Sequence, residues 1–137
     1  MKSLIYLSIF LSVVFSSVKA QVEIDVSRID SAVYNKLMKM NFETYKNKSA
    51  DRFFKDLGYT YKKCIPTSKK PGFISHVIFI YGDSVTVDIA VKNLGQKEPL
   101  NFNYKFDVNV FKTKKIDWLC FKYAGECIKG CEEEYCK

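Results

Sequence analysis

The sequence predicts an α+β domain in which N-terminal helices pack on a curved antiparallel sheet that disulfides stabilise. Apolar residues recur at helical spacing between residues 27 and 57, and an alternation of period two governs most of the chain after Gly58. Four of the five cysteines fall within the last twenty residues. Helices that precede a run of strands are typical of a helical layer on one face of an antiparallel sheet.

Residues 1–20 have the layout of a secretory signal peptide. Lys2 precedes an apolar run over residues 4–15, and Ala20 stands at the −1 position before Gln21. The apolar run is shorter than a membrane-spanning helix requires. We therefore expect a secreted, extracellular product with no membrane attachment after cleavage, and an uncleaved anchor is the alternative.

The charge of the chain is basic but dispersed. The chain has 22 Lys and Arg against 15 Asp and Glu, a net charge of +7, and the first 20 residues hold two of the lysines and no acid. The charge of +5 on the 117 residues that follow lies in short lysine pairs, without an arginine-rich run. We interpret this pattern as a solvated surface of one domain rather than as a nucleic-acid interface.

Two helices are predicted at the start of the mature chain. The first covers residues 27–46, where Ser27 can cap it and Asp30 follows three residues later. Its apolar stripe consists of Ile29, Val33, Leu37 and Met40. The second helix covers residues 49–57 and ends at Gly58. Its predicted buried edge consists of Phe53, Phe54 and Leu57.

The loop between these helices carries a glycosylation motif. Residues 47–49 read NKS, which matches the N-linked acceptor pattern at Asn47. The motif requires that this loop be exposed in the secreted chain. We therefore predict a glycoprotein with a modified asparagine at this position.

The stretch 73–91 predicts a β-hairpin that turns at the Gly-Asp pair of residues 82–83. A two-residue turn pairs His76 with Ile89. In that register one face of the hairpin is aliphatic and contains His76, whereas Asp88 lies on the opposite face.

Three more strands complete the predicted sheet. Residues 59–65 form a short strand after the second helix, and a loop with two prolines follows it. Residues 101–111 alternate between apolar and polar side chains, as a half-buried antiparallel strand requires. Residues 116–123 return as the last strand after a lysine-rich turn.

This order of elements resembles the NTF2-like fold, and the chain is similar to small secreted NTF2-like proteins of nematodes. The resemblance rests on the segments SADRFFKDLGYTYKKC, VTVDIAV, LNFNYKFDVNVFKT and DWLCFKYAGEC, which cover most of residues 28–127. It implies a cone-shaped sheet around a pocket, formed by residues 21–127, with a Cys-rich tail over residues 128–137. Members of this fold include enzymes and proteins that only bind or dimerise, so the fold does not assign an activity.

The cysteines are interpreted through secretion and through this resemblance. Disulfides are the default in an oxidising compartment. The C-terminal spacing lacks the CxxC pairs typical of zinc sites, so no metal is expected. The resemblance suggests a Cys64–Cys127 bond that ties the front of the sheet to its back, and then a Cys131–Cys136 bond. Cys120 is in that case a buried free thiol, although sequence alone leaves other pairings open.

His76 is the only histidine, and the sequence places no carboxylate to orient its ring. Asp107 falls on the polar side of its predicted strand. We interpret His76 as a histidine that is hydrogen-bonded in or near the core. With Ile78, Ile89 and Tyr104 it forms the candidate lining of a pocket for a small apolar ligand.

These observations favour a secreted, non-enzymatic NTF2-like binding or interaction module with no cofactor. Its expected partner is a small apolar ligand or another extracellular protein. A cystatin-like protease inhibitor is the first alternative, although the chain lacks the QxVxG hairpin and Asp117 replaces the proline expected before Trp118. An NTF2-like enzyme with His76 as base is the second, and a cationic effector is the third.

Overall fold

One antiparallel sheet with helices packed on one face makes up the part of the chain that the computed structural model describes, residues 29–68, 73–94 and 106–131. The helical elements are α1 over residues 29–39, a 3₁₀ helix over Phe42–Tyr45, α2 over Ala50–Leu57 and α3 over Val108–Thr113. The sheet has five strands in the order β1-β2-β3-β4-β5. They are β1 (Lys63–Thr67), β2 (His76–Ile80), β3 (Val85–Val91), β4 (Ile116–Tyr123) and β5 (Glu126–Lys129).

The α+β class predicted from the sequence is confirmed over these residues, whereas a closed NTF2-like cone stays a prediction. The core lies between the helices and the inner face of the sheet. Its sheet side includes Val77, Phe79, Val85, Val87, Ile89, Ile116, Leu119 and Phe121, and its helix side includes Val33, Leu37, Phe53, Leu57 and Phe111. No helix within the described ranges has the length and apolarity to cross a membrane.

The two N-terminal helices follow the predicted apolar stripes closely. Val33 and Leu37 are fully buried, but Ile29 is 46% exposed and does not belong to the core. α1 stops at residue 39, because Asn41 starts a separate 3₁₀ turn by accepting a hydrogen bond from the Glu43 amide. α2 ends as predicted at Gly58, which has a left-handed backbone conformation and donates a hydrogen bond from its amide to the Phe54 carbonyl.

The register of the predicted hairpin is wrong by one residue. Tyr81 donates its backbone amide to Val85, so the turn contains the three residues 82–84 instead of two. Phe79 consequently pairs with Val87, and the odd-numbered residues of β2 face the core. A one-residue slip moves every side chain of a strand to the other face. This register buries two aromatic rings, Phe79 and Tyr81, in the core, and large rings bury more apolar area than aliphatic side chains do.

The predicted strand over residues 101–111 is wrong where the structure describes it. Residues 101–105 lie outside the described ranges, and α3 begins at Val108. Asp107 caps this helix by accepting hydrogen bonds from the amides of Asn109 and Val110 at 2.9 and 3.3 Å. A capped turn satisfies backbone donors that a strand would leave to a neighbouring strand, and the helix buries Phe111 in the core.

The first and last strands differ from their predictions as well. β1 covers Lys63–Thr67, later than the predicted residues 59–65, whereas β4 has the predicted bounds. β5 begins two residues before the predicted tail at residue 128 and extends into it, and this strand was not predicted. It forms a tight hairpin with β4 because Ala124 and Gly125 both adopt positive φ angles, 49° and 85°, which suit a two-residue antiparallel turn.

The predicted disulfide pairs are wrong. Cys120 is bonded to Cys131, and Cys64 is a free thiol. Cys127 is also disulfide-bonded, and Cys136 lies outside the described ranges. Cys64 and Cys127 occupy opposite edges of the sheet. At about 4.8 Å per strand spacing this separates them by roughly 19 Å along a flat sheet, whereas a disulfide needs Cα atoms within about 7 Å.

A disulfide map of the purified protein checks this pairing. Because Cys131 and Cys136 share one tryptic peptide, digestion needs trypsin together with a protease that cleaves after the glutamates at residues 132–134. We expect a peptide that joins Cys120 to Cys131, and Cys64 alkylated without prior reduction. Recovery of a Cys64–Cys127 peptide contradicts the structure.

The tip of the β2–β3 hairpin is held by α1. The Asp30 carboxylate lies against Gly82, where any Cβ atom would overlap it. Its Oδ2 atom accepts a hydrogen bond from the Asp83 amide at 3.3 Å. Gly82, which has no side chain, therefore allows α1 and the turn to pack closely.

Gly82→Ala is expected to lower the free energy of unfolding by about 1–2 kcal/mol, because Asp30 must leave its hydrogen bond to the turn. In an Asp30→Ala background the same change should cost much less, and the backbone effect of alanine cancels in the double-mutant cycle. Urea denaturation of the four proteins measures the coupling. Equal losses in both backgrounds would show that the contact with Asp30 is unimportant.

Candidate binding site

The residues of the predicted pocket do not lie together. His76 and Ile78 point to the outer face of the sheet, whereas Ile89 pairs with Val77 and is fully buried in the core on the inner face. Tyr104 lies outside the described ranges. The prediction that His76, Ile78 and Ile89 line one pocket is wrong because the hairpin register differs by one residue.

His76 is buried, as predicted, with 9% of its surface exposed. Its Nδ1 atom lies 3.0 Å from the Ser75 hydroxyl, and its ring centroid lies 5.5 Å from that of Trp118. Contrary to the prediction, Asp88 shares the outer face with His76. The Asp88 carboxylate is occupied by Lys122, whose Nζ atom lies 2.8 Å from Oδ2. This carboxylate therefore already has a cationic partner.

A surface groove between α2, α3 and the segment after Gly58 is the best candidate for a binding site. Its volume is about 270 Å³, near the lower limit for pockets that hold small ligands. Three aromatic side chains and two lysines contribute to its wall. The lining residues are Asp51, Phe54, Lys55, Gly58, Tyr59, Thr60, Tyr61 and Lys112.

The core fixes the aromatic wall of this groove. The ring of Phe54 lies 4.8 Å from that of Phe79, and Tyr61 lies 5.0 Å from the same ring. Tyr81, buried behind them, lies 6.4 Å from Tyr61. Rings that are already immobilised lose little further entropy when a ligand binds. The groove is therefore pre-organised.

Lys112 gives the groove its charge. Its Nζ atom lies 5.3 Å from the ring centroid of Phe54 and 5.7 Å from that of Tyr61. Such cation–π contacts hold an ammonium group without neutralising it. Lys55, by contrast, is paired with Asp51 at 2.6 Å, and this hydrogen bond raises the pKa of Lys55. Within the described ranges Lys112 forms no salt bridge and keeps a net positive charge.

Cys64 lies close to this charged and aromatic cluster. It pairs with Phe79 across β1 and β2, so its side chain is directed to the inner face at the edge of the core. Burial raises the pKa of the Cys64 thiol, and Lys112 opposes that shift. Burial, with a smaller effect of Cys64, also raises the pKa of Tyr61. Both groups are therefore protonated near neutral pH, and Tyr61 can donate a hydrogen bond.

The sequence contained a signal for this groove that the strand prediction overrode. The strand prediction places Lys112 in the lysine-rich turn that follows the strand. Asp107, directly before Val108, is of a residue type that commonly caps the start of a helix. A helix that starts after Asp107 directs Phe111 into the core and leaves Lys112 near the surface.

Two other grooves in the described part of the chain differ in their lining. One, of about 300 Å³, lies between Phe42 and Trp118 and mixes Glu43 and Asp117 with Lys46. The other, of about 250 Å³, lies beside Tyr34 and has no charged side chain in its lining. Of these three grooves, the Lys112 groove is the one that joins fixed aromatic rings to a cation without a salt bridge in the described ranges.

Asn47, the predicted glycosylation site, lies in an exposed turn with a positive φ of 64°. Its Oδ1 atom accepts a hydrogen bond from Lys92 Nζ at 2.8 Å, which leaves the amide nitrogen to solvent. Exposure meets the requirement of the motif, and glycosylation stays a prediction.

No protein family, curated protein or solved structure matches the chain. The site is therefore interpreted from its own geometry.

Cys64 alkylation measures the electrostatics of this region. Because the thiolate is the reactive form, the raised pKa places the half-maximal rate with iodoacetamide at a higher pH than for an unperturbed cysteine. Lys112→Met removes a charge that lowers this pKa, so the profile should move to still higher pH. Lys115→Met, an exposed lysine nearby, should leave it in place. Identical profiles for all three proteins would disprove the electrostatic effect of Lys112 on the pKa of Cys64.

Proposed function

We propose that the chain is an extracellular, non-catalytic binding protein of the NTF2-like type, and that the Lys112 groove is its ligand site. Its ligand is a small molecule with an apolar body and one anionic group. This changes the expectation of a small apolar ligand, because within the described ranges no salt bridge offsets the charge of Lys112.

One observation carries this proposal: the Lys112 ammonium group lies over two aromatic rings with no carboxylate at salt-bridge distance in the described ranges. A hydrogen bond to a charged partner is worth about 1.5–3 kcal/mol. An apolar ligand body that covers Phe54 and Tyr61 would exclude water from this bond and strengthen it. The neutral phenol of Tyr61 supplies a further donor beside the ammonium group.

The state of the nucleophile and base candidates supports binding rather than catalysis. The Cys64 thiol is protonated near neutral pH because burial raises its pKa, and a thiol is a poor nucleophile compared with a thiolate. His76 lies on the outer face of the sheet, away from the Lys112 groove. The enzyme alternative with His76 as base therefore has less support than a binding role.

The extracellular assignment rests on the signal-peptide pattern of residues 1–20 and on the Cys120–Cys131 disulfide. Disulfides are typical of oxidising compartments. The cystatin-like alternative has less support, because a wedge for a protease cleft needs a free hairpin tip. Here Gly82 and Asp83, at the tip of the β2–β3 hairpin, pack against Asp30.

The experiment expresses the full chain in a eukaryotic secretory line and uses two matched fluorescent probes. We expect protein in the medium that begins at Gln21. Anilinonaphthalene sulfonate is the anionic probe, and phenylnaphthylamine is its neutral counterpart. Lys112→Met should weaken binding of the sulfonate about tenfold, which corresponds to about 1.4 kcal/mol, and should not weaken binding of the amine.

Lys115→Met is the matched control, because it changes the net charge equally outside the groove. Tyr61→Ala should weaken both probes. If the two lysine variants weaken sulfonate binding equally, the effect comes from the net charge of the protein, and the groove assignment is overturned. Retention of the chain inside the cell would overturn the extracellular assignment.

A further inference from the structure

A small groove lies between α1 and the end of β4. Its volume is about 250 Å³, and its lining consists of Ser31, Tyr34, Asn35 and Tyr123. The first three residues are spaced i, i+3 and i+4 along α1, so they share one face of this helix. Tyr123 is the last residue of β4 and completes the lining from the sheet. We call this site the tyrosine groove.

The two tyrosine rings form a wall that the core holds in place. The ring centroid of Tyr34 lies 5.4 Å from that of Phe121, which is fully buried, and 5.1 Å from that of Tyr123. Both contacts are edge-to-face, an arrangement that aromatic pairs prefer. Tyr123 pairs with Val85 across β3 and β4, yet 41% of its surface is exposed. The wall is therefore anchored in the core and open to a ligand from solvent.

The helical side of the groove is held in place as well. Asp30, the residue before Ser31, accepts a hydrogen bond from the Asp83 amide at the tip of the β2–β3 hairpin. This contact fixes the first turn of α1 against the sheet. The polar side chains that follow it therefore have a defined position relative to Tyr123.

The polar groups of the groove are neutral and available to a ligand. They are the Ser31 hydroxyl, the Asn35 side-chain amide and the two phenol groups, and no charged side chain of the described residues lines the groove. None of these groups makes a hydrogen bond to another residue in the described part of the chain. Hydroxyl and amide groups both donate and accept hydrogen bonds. The groove thus offers donors and acceptors next to exposed aromatic surface.

This combination distinguishes between classes of ligand. A charged ligand would find no opposite charge in the lining. A purely apolar ligand would cover the hydroxyl and amide groups and leave them without a partner, which is costly. A neutral sugar meets both requirements. One face of its ring carries C–H groups, which pack on the electron-rich face of an aromatic ring, and the hydroxyls at its rim both donate and accept.

We propose that the tyrosine groove binds one ring of a neutral, β-linked oligosaccharide of the glucose type. In such sugars the ring substituents are equatorial, so each ring presents a flat C–H face. The exposed ring of Tyr123 stacks on that face, and Ser31 and Asn35 exchange hydrogen bonds with hydroxyls at the rim. The groove is smaller than the pockets that enclose whole ligands, so it holds one ring while the neighbouring rings extend into solvent.

Isothermal titration calorimetry of the full chain with cellohexaose and with chitohexaose tests this proposal. We expect a dissociation constant of about 0.1–1 mM for at least one of them, because a shallow site with few polar contacts gains little beyond the cost of ordering the ligand. Added salt should leave this constant unchanged, since a neutral ligand has no charge to screen.

Variants with matched controls assign the binding to the groove. Tyr123→Ala should weaken binding about tenfold, a usual effect of removing a tyrosine that anchors a ligand, whereas Tyr123→Phe should retain most of the affinity. Asn35→Ala should weaken it about fivefold, which corresponds to one hydrogen bond. The controls are Phe73→Ala, an exposed aromatic residue elsewhere, and Asn109→Ala, an exposed asparagine on α3. Far-ultraviolet circular dichroism checks that each variant is folded.

Absence of binding by both saccharides overturns the proposal. Unchanged affinity in Tyr123→Ala, or an equal loss in Phe73→Ala, places the sugar elsewhere and overturns it as well. An affinity that falls with added salt contradicts a neutral ligand. The sulfonate experiment reports on Lys112, which does not line the tyrosine groove, so failure here is separate from failure of the proposed function.

Discussion

The pairing of Phe79 with Val87 across β2 and β3 is the constraint on which the rest of the structure depends. This register directs Phe79 and Tyr81 into the core, where the rings of Phe54, Tyr61 and Phe111 pack around Phe79. A two-residue turn would have directed those two rings away from the helices. The core would then have lost its largest contacts, because aromatic rings bury most of the area in such an interior.

The same register determines which side chains lie on the outer face of the sheet. It places His76, Ile78 and Asp88 on one side, and β4 adds Cys120 and Lys122 there. The salt bridge between Asp88 and Lys122 therefore forms on the same face as Cys120, whose sulfur lies close to those of Cys127 and Cys131. A charge pair of this kind is costly to bury unless both partners are satisfied, yet one Asp88 oxygen is left without a partner. The Lys112 groove and the Cys120–Asp88 neighbourhood thus both depend on this one pairing and lie on opposite faces of the sheet.

The Lys112 groove shows how packing in the core fixes side chains at the surface. Phe54 and Tyr61 are partly buried against the core and also line the groove, so the packing that stabilises the fold also fixes the aromatic wall of the groove. Lys112 reaches these rings because Phe111, the residue before it, anchors α3 in the interior. The position of a charged side chain at the surface is in this way determined by its buried neighbour.

Local signals predicted the elements that local chemistry stabilises. The stripe of Val33 and Leu37, the stop at Gly58 and the bounds of β4 follow from spacing, from left-handed glycine and from apolar content. The strand predicted over residues 101–111 failed at its described end, because the alternating pattern concealed the Asp107 cap. The predicted Cys64–Cys127 bond failed because sheet order, which no spacing reveals, puts the two cysteines at opposite edges.

The sequence by itself determined the α+β class, the two N-terminal helices, the last long strand and the presence of disulfides, since each depends on residues that are neighbours along the chain. Only the tertiary structure decided the hairpin register, the helix that carries Lys112, the Cys120–Cys131 bond and the meeting of three sulfurs. These features result from competition among distant side chains for one interior. Their outcome depends on which packing buries the most apolar surface, and a pattern read along one strand does not contain that comparison.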